Sequence, residues 1–370
     1  MIQKDCFTSA WIDTVSKPLK YNDKNLIEKV IRALSLLEML VEAKCPMVFK
    51  GGTSLMLILN DTANRLSIDI DVICPPGTDI EQYLTDYQQH GFTDKVLIER
   101  KSRGNDVPKS HSKFYYQIAY KDGSDSPSYI LLDVLYEDIH YHQTEPVAIR
   151  SPFIQLDSEP LMVTVPSAPD ILGDKLTAFA PNTTGIPYFK VNKQGESKDC
   201  SLEICKQLFD VGRLFEKVDD LTITSESFKK IAAVELSYRG LPNDLSVVYE
   251  DIRQTALCIS TRGAIGDGHF AQLQQGVSRL KSFMYKQKYI IDNAIVDAVR
   301  AAYMATLIEK GVNTIEKYHS PQDAANLQIA DTLTNKLNKL RGPLPEAFFY
   351  WAKTSELLKN KIEISMPGTT

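Results

Sequence analysis

KGGTS at residues 50–54 and RLSIDIDVIC at residues 65–74 decide how this chain reads. Gly51 and Gly52 lie between MVFK (47–50) and TSLMLILN (53–60), which read as a short strand, a turn and a short helix, with Thr53 or Ser54 available as its cap. RLSIDIDVICPP then alternates. Ser67, Asp69 and Asp71 share one face and Leu66, Ile68, Ile70 and Val72 the other, which predicts a strand of period two closed by Pro75-Pro76.

Asp69 and Asp71 on one such strand have Cα atoms roughly 6.5–7 Å apart and carboxylates leaving the same side of the sheet. Without a countercharge they repel. A divalent cation resolves the conflict, and Mg²⁺ suits it, because Mg²⁺ takes hard oxygen ligands and is commonly held by one or two carboxylates plus substrate phosphates. The plainer alternative is a strand with one wet face. Asp133, a lone acid among Ile130, Leu131, Leu132, Val134 and Leu135, is costly to bury unless it pairs or binds metal. If its strand neighbours Asp69 and Asp71, three carboxylates converge on metal; otherwise Asp133 marks an exposed edge face. The Gly-Gly turn lets backbone amides approach a phosphate, and the helix start and the Ser or Thr hydroxyl add donors. The P-loop spacing is absent.

Working outward, residues 24–44 carry Leu26, Ile27, Val30, Ile31, Leu34, Leu37 and Leu40 at helical spacing, predicting a long helix ended by Pro46. Strands are expected around KVLIER (95–100), KFYYQIAYK (113–121), SYILLDVLYED (128–138) and LMVTVPS (161–167), with a helix at 79–90. From residue 169 the chain reads as helices to its end, broken by loops at 181–199 and 260–269. The expected architecture is α+β: a mixed α/β domain over residues 1–165 and an α-helical domain over 166–370.

The chain has 370 residues, 43% of them apolar and 24% charged, which suits about two globular domains. Net charge is −5, too mild to argue for nucleic acid or anionic membrane. No uncharged apolar run reaches a membrane span, the first residues carry no signal-like core, and six scattered cysteines form no C-x-x-C, so the expectation is a cytoplasmic protein with reduced thiols. His140 and His142, with no evident third ligand nearby, read as loop residues. Residues 271–345 hold ten Lys and Arg against six Asp and Glu, with Tyr285, Tyr289 and Tyr303 interleaved. They read either as a patch for an RNA backbone or as ordinary wet helix faces.

The order Gly-Gly-Thr/Ser, short helix, R-x-S-x-D-h-D-h (h, apolar) and a later h-D-h strand resembles the nucleotidyltransferase fold of the DNA polymerase beta superfamily. KGGTSL and RLSIDIDV are similar to the AbiEii/AbiGii toxin family within it, over residues 48–73 and more loosely to about 217. The resemblance implies a nucleotidyltransferase-fold mixed sheet, with residues 166–217 completing the active site and 218–370 a helical bundle. It implies metal ligation by Asp69, Asp71 and Asp133, and substrate binding by Lys50, Gly51, Gly52, Thr53, Ser54 and Arg65. The family's lysine helix matches ILGDKLTAFA, where residues 171, 172, 175, 176 and 179 make a stripe that is apolar except at Lys175. A lysine there needs a carboxylate or a phosphate as partner, unless it snorkels to solvent. The distal acid falls on Asp210 in KQLFDVGRLF. Gln207 stands where another acid often lies, and Lys198-Asp199 is a competing match.

Asp210 shares a helix face with Glu203, Lys206 and Arg213, so a solvated Asp210–Arg213 pair is the competing reading. The implied activity is Mg²⁺-dependent transfer of a nucleoside monophosphate from an NTP to a tRNA end, in a toxin countered by a separately encoded antitoxin or in abortive infection. Two alternatives stay open: the same chemistry on a small molecule or protein hydroxyl, and a non-catalytic nucleotide- or RNA-binding module of the same fold.

Overall fold

The computed structural model describes residues 1–19, 21–99, 109–119, 128–192, 195–329 and 334–359. Arg100, residues 120–121 and residues 360–370, over which the sequence reading extended its strands and last helix, lie outside them. Two compact units emerge, Met1–Ser167 with Ser282–Lys288, and Ala168–Lys281 with Tyr289–Thr370.

The first unit opens with α1 (Ser9–Leu19) and α2 (Lys24–Glu42). Asp23 caps α2 by accepting from the Leu26 amide at 2.9 Å. The periodicity suggests one buried stripe, yet Glu28, Arg32 and Glu38 are buried as well. Each has a backbone partner: Glu28 accepts from the Ala119 amide, Glu38 from the Ile2 amide, and Arg32 donates to the Gly91 carbonyl. Next come β1 (Val48–Lys50), α3 (Gly51–Leu59), β2 (Ile70–Cys74), β3 (Asp94–Glu99), β4 (Lys109–Tyr116), β5 (Ser128–Tyr136), β6 (Thr144–Ala148) and β7 (Met162–Pro166). The main sheet runs β1-β2-β5-β4-β3, with β2 and β5 parallel and the other neighbours antiparallel, while β6 and β7 form a separate hairpin.

Three local expectations fail for identifiable reasons. The alternating strand begins at Ile70 rather than Arg65, because β1 ends opposite Asp71 and β5 pairs only from Ile70 onward. Upstream, residues 282–288 supply the partners instead: Arg65 bridges Met284 and the Leu66 amide donates to the Phe283 carbonyl at 2.8 Å. For the same reason the helical run expected beyond residue 269 breaks at Leu280, since Met284 and Tyr285 are buried in the first unit. Over 79–90 only a 3₁₀ turn, Ile80–Tyr83, appears, followed by turns. Ile80 and Leu84 are the buried apolar anchors there, too few to hold a second helical turn.

The second unit comprises α4 (Ala168–Ala178), the β8 (Phe189–Val191) and β9 (Ser197–Asp199) hairpin inside the expected loop, α5 (Ser201–Phe215), α6 (Thr222–Tyr238), α7 (Ser246–Ser260), α8 (Phe270–Leu280), α9 (Ile291–Lys310), α10 (Thr334–Leu337) and α11 (Pro345–Lys359). Tyr285, Tyr289 and Tyr303 are all buried, each with its hydroxyl hydrogen-bonded, so the interleaved tyrosines are core residues and not an RNA-facing platform. Among the described residues no helix is long and apolar enough to cross a membrane.

Candidate active site

Strand register builds the candidate site of the first unit. Lys50 on β1 pairs with Asp71 on β2, Asp71 with Asp133 on β5, and Asp133 with His111 on β4. Cross-strand partners share a face, and neighbouring strands lie about 4.8 Å apart, so these four residues form one transverse row. Asp133 is not the buried acid its apolar neighbours suggested. It lies on the more open face of β5, its side chain 33% exposed, with Oδ1 at 2.5 Å from His111 Nδ1. Asp69 sits one residue before β2, exposed, and its carbonyl accepts from the Thr53 hydroxyl at 2.7 Å.

Helix α3 begins at Gly51, one turn earlier than a Thr53 or Ser54 cap would place it, and Lys50 occupies the cap position without a side-chain cap. Both hydroxyls are fully buried, and Ser54 donates to the Gly51 carbonyl at 3.0 Å. The two glycines are needed for space. Gly51 has φ +84°, and a Cβ there would stand 2.2 Å from Asp71 Oδ2. A Cβ on Gly52 would meet Ser67 Oγ at 2.6 Å and Arg65 Nη2 at 2.8 Å. The Cα side of Gly51 and Gly52 at the start of α3 therefore faces a carboxylate, a hydroxyl and a buried guanidinium.

Among the described residues no group of three or more His, Cys, Asp or Glu side chains stands as a ready-made metal cluster. Two opposed carboxylates with an all-oxygen donor set nevertheless fit Mg²⁺, which is usually completed by phosphate and water oxygens.

In the second unit, Ile171, Leu172, Leu176 and Phe179 are buried and Lys175 is buried with them, so it does not snorkel. Its Nζ donates to Gln207 Oε1 at 2.8 Å and lies 3.2 Å from Asp210 Oδ2. Gln207 and Asp210 are three apart on α5 and face α4 together. The solvated Asp210–Arg213 pair is thereby overturned: Asp210 is buried on Lys175, while Arg213 reaches Asp297 at 3.4 Å. Asp199, the competing acid, accepts from the amide and hydroxyl of Ser201 and from Arg279 at 3.0 Å. Burial pushes the Asp199 carboxyl up, but these donors outweigh it and hold it below its ordinary value.

Residues 33–282 match the family model described as nucleotidyl transferase AbiEii toxin, type IV TA system. The chain belongs to the AbiEii nucleotidyltransferase toxin family. Among solved structures it is similar to MenT4, a nucleotidyltransferase toxin of Mycobacterium tuberculosis H37Rv, at 13% identity over 80% of this chain and 89% of that one, with a TM-score of 0.51. JHP933 from Helicobacter pylori matches at 15% identity over 79% of this chain and 94% of that one, with a TM-score of 0.38. No curated protein matches the chain.

As an AbiEii nucleotidyltransferase the chain carries two polar partners, His111 and Gln207, whose roles as partners are not evident along the sequence. His111 shows its place through alternation in KSHSKFYY, where His111 and Lys113 fall on one face. Gln207 was singled out as a departure from the family pattern, yet it is a hydrogen-bond partner of Lys175.

Proposed function

We propose that this AbiEii-family enzyme transfers a nucleoside monophosphate from an NTP to a hydroxyl at a tRNA or other RNA end in the cytoplasm, with Mg²⁺ and with release of pyrophosphate, and that a separately encoded antitoxin counters it. The observation that carries the reading is the row Lys50–Asp71–Asp133–His111, with the Asp71 carboxylate against the Gly51–Gly52 turn. Asp69 and Asp71 would hold the metal, Asp133 completing the set or taking the acceptor hydroxyl's proton. A bound Mg²⁺ supplies neutralisation of triphosphate charge.

The chain's own groups supply the rest. The α3 amides at Gly51–Ser54 and the Arg65 guanidinium bind phosphate oxygens at the helix start, with Lys50 at the end of β1 beside them. Thr53 fixes the Asp69 backbone, and His111 holds the Asp133 carboxylate in one orientation. Lys175, fixed by Gln207 and Asp210, bears the positive charge that opposes charge developing on the phosphates.

The test is transfer from α-³²P-labelled NTPs, each supplied separately, to total tRNA, to small hydroxylated compounds and to protein, with and without EDTA. Label on tRNA that requires Mg²⁺ and is lost in Asp69→Ala and Asp71→Ala supports the reading. Label on protein or small molecules alone would replace the acceptor, and unchanged activity in both variants would overturn the site.

A further inference from the structure

Strand β4 turns Ser110, Ser112, Phe114 and Tyr116 to the buried side of the sheet and Lys109, His111, Lys113 and Tyr115 to the other. On β5 these meet Leu135, Asp133, Leu131 and Tyr129 in that order. The face that bears the Asp71–Asp133 pair thus also bears a cationic stripe that runs into an aromatic pair. Lys113 Nζ lies 4.2 Å from the Tyr129 ring centroid, and the Tyr115 and Tyr129 rings meet edge-on at 5.7 Å. Tyr129 is 38% exposed, and Val96, opposite Lys113 on β3, is 41% exposed. An open tyrosine backed by a lysine offers a base a stacking surface and its phosphate a charge.

We infer that this face of β4 and β5 carries the 3′-terminal single strand of an RNA acceptor, with Lys113 on its phosphates and Tyr115 and Tyr129 under its bases. The inference rests on the proposed transfer to RNA and names the track along which the acceptor reaches Asp133. Two features favour the acceptor over the NTP as occupant. The proposed triphosphate cradle at Gly51–Gly52 lies on the β1 side of Asp71, whereas the stripe lies on the β4 side of Asp133, with the two carboxylates between them. An in-line displacement places the attacking and leaving oxygens on opposite sides of the phosphorus, which this order provides. Length also fits. Asp133 and Tyr129 are four residues apart on β5, about 13 Å, which is the reach of roughly four stacked nucleotides.

The deciding measurements are anisotropy of a short 5′-fluorescein-labelled single-stranded RNA with a free 3′-hydroxyl, and the KM values for RNA and NTP in transfer. Lys113→Gln is expected to weaken RNA binding about fivefold and to flatten its salt dependence by a slope of about 0.7, the share of one phosphate contact. Tyr129→Ala should also weaken it roughly tenfold. Lys113→Arg and Tyr129→Phe, which keep charge and ring, should bind as wild type, and melting curves report whether each variant folds. In transfer, the weakened variants should raise KM for RNA while leaving KM for NTP and kcat at saturating RNA unchanged. If folded variants keep wild-type RNA affinity while the wild type labels RNA, the track is wrong and the activity stands. A rise in KM for NTP equal to that for RNA would give the stripe to the triphosphate and overturn the inference. If the wild type labels no RNA, the proposed acceptor fails and this inference fails with it.

Discussion

The row on the sheet and the pair between α4 and α5 hold charge by opposite means. Backbone ladders fix Lys50, Asp71, Asp133 and His111, and all four side chains stay partly open to water. Lys175 and Asp210 instead have side chains only 7% and 3% exposed, with Gln207 as a further partner of the lysine. Removing a carboxylate from the row deletes a ligand and leaves the ladder intact. Removing one member of the pair strands a charge in the core, which costs far more stability than the pair itself contributes.

The sharpest test of that contrast is the row. Asp71→Asn and Asp69→Ala should each lower transfer by about a thousandfold, the scale of losing an electrostatic element aimed at the reacting phosphate. Their thermal midpoints should stay close to wild type, because Asp69 is exposed and Asp71 keeps its shape as asparagine. Parallel transfer assays and melting curves check this, and a collapse of both together would mean that the row is structural.

The buried pair should behave in the reverse sense. Lys175→Met should cost about 3 kcal/mol in urea unfolding, since the Asp210 carboxylate keeps its burial and loses its cation. Lys175→Met combined with Asp210→Leu should recover most of that stability while transfer stays lost. If the single variant unfolds at the wild-type urea concentration, the ion pair does not hold α4 to α5.

How much of this was legible follows from the range of each signal. The Gly-Gly turn, the Asp69–Asp71 spacing and the lysine in the α4 stripe are local patterns and can be read along the chain. That Asp71 lies opposite Asp133 depends on pairing strands some sixty residues apart, which no periodicity encodes. Strand β4 escaped in part because its buried face begins with serines: Ser110 and Ser112 occupy positions where alternation normally shows apolar residues, so the strand was read from Lys113 onward. Asp210 admits a solvated alternative along the chain because its neighbours on α5 are polar, and its lysine arrives from another helix. Residues 282–287 read as the continuation of a helix because Phe283, Met284 and Tyr285 are apolar, although Met284 and Tyr285 are buried in the first unit.

Gly51 sharpens the comparison from the backbone side. Gly51→Ala places a Cβ at φ +84° and within 2.2 Å of Asp71 Oδ2, so the carboxylate must swing away. The conformational cost is about 1–2 kcal/mol, smaller than stranding Lys175 or Asp210. Transfer should nonetheless fall more than this stability loss explains, with KM for NTP rising, because the displaced group is a proposed metal ligand beside the phosphate cradle. Steady-state kinetics on the folded variant at a temperature well below its midpoint separates the two effects.

Asp199 gives the smallest effect and settles which acid accompanies Lys175. Its carboxyl is held below its ordinary value by Ser201 and Arg279 against the opposing pull of burial, so it binds a proton less readily folded than unfolded. The stability that it contributes is therefore present above the unfolded value, near pH 4, and is lost as pH falls through the folded value. Asp199→Asn should flatten the acid limb of a plot of thermal midpoint against pH and change little at neutral pH, because Arg279 is itself 42% exposed and stays hydrated without its partner. Transfer at neutral pH should follow the same division: near wild type in Asp199→Asn, strongly reduced in Asp210→Asn. A loss of transfer in Asp199→Asn comparable to that in Asp210→Asn would move the functional acid from the buried pair to the start of α5, and the contrast between an open row and a buried pair would no longer describe how this enzyme divides its charges.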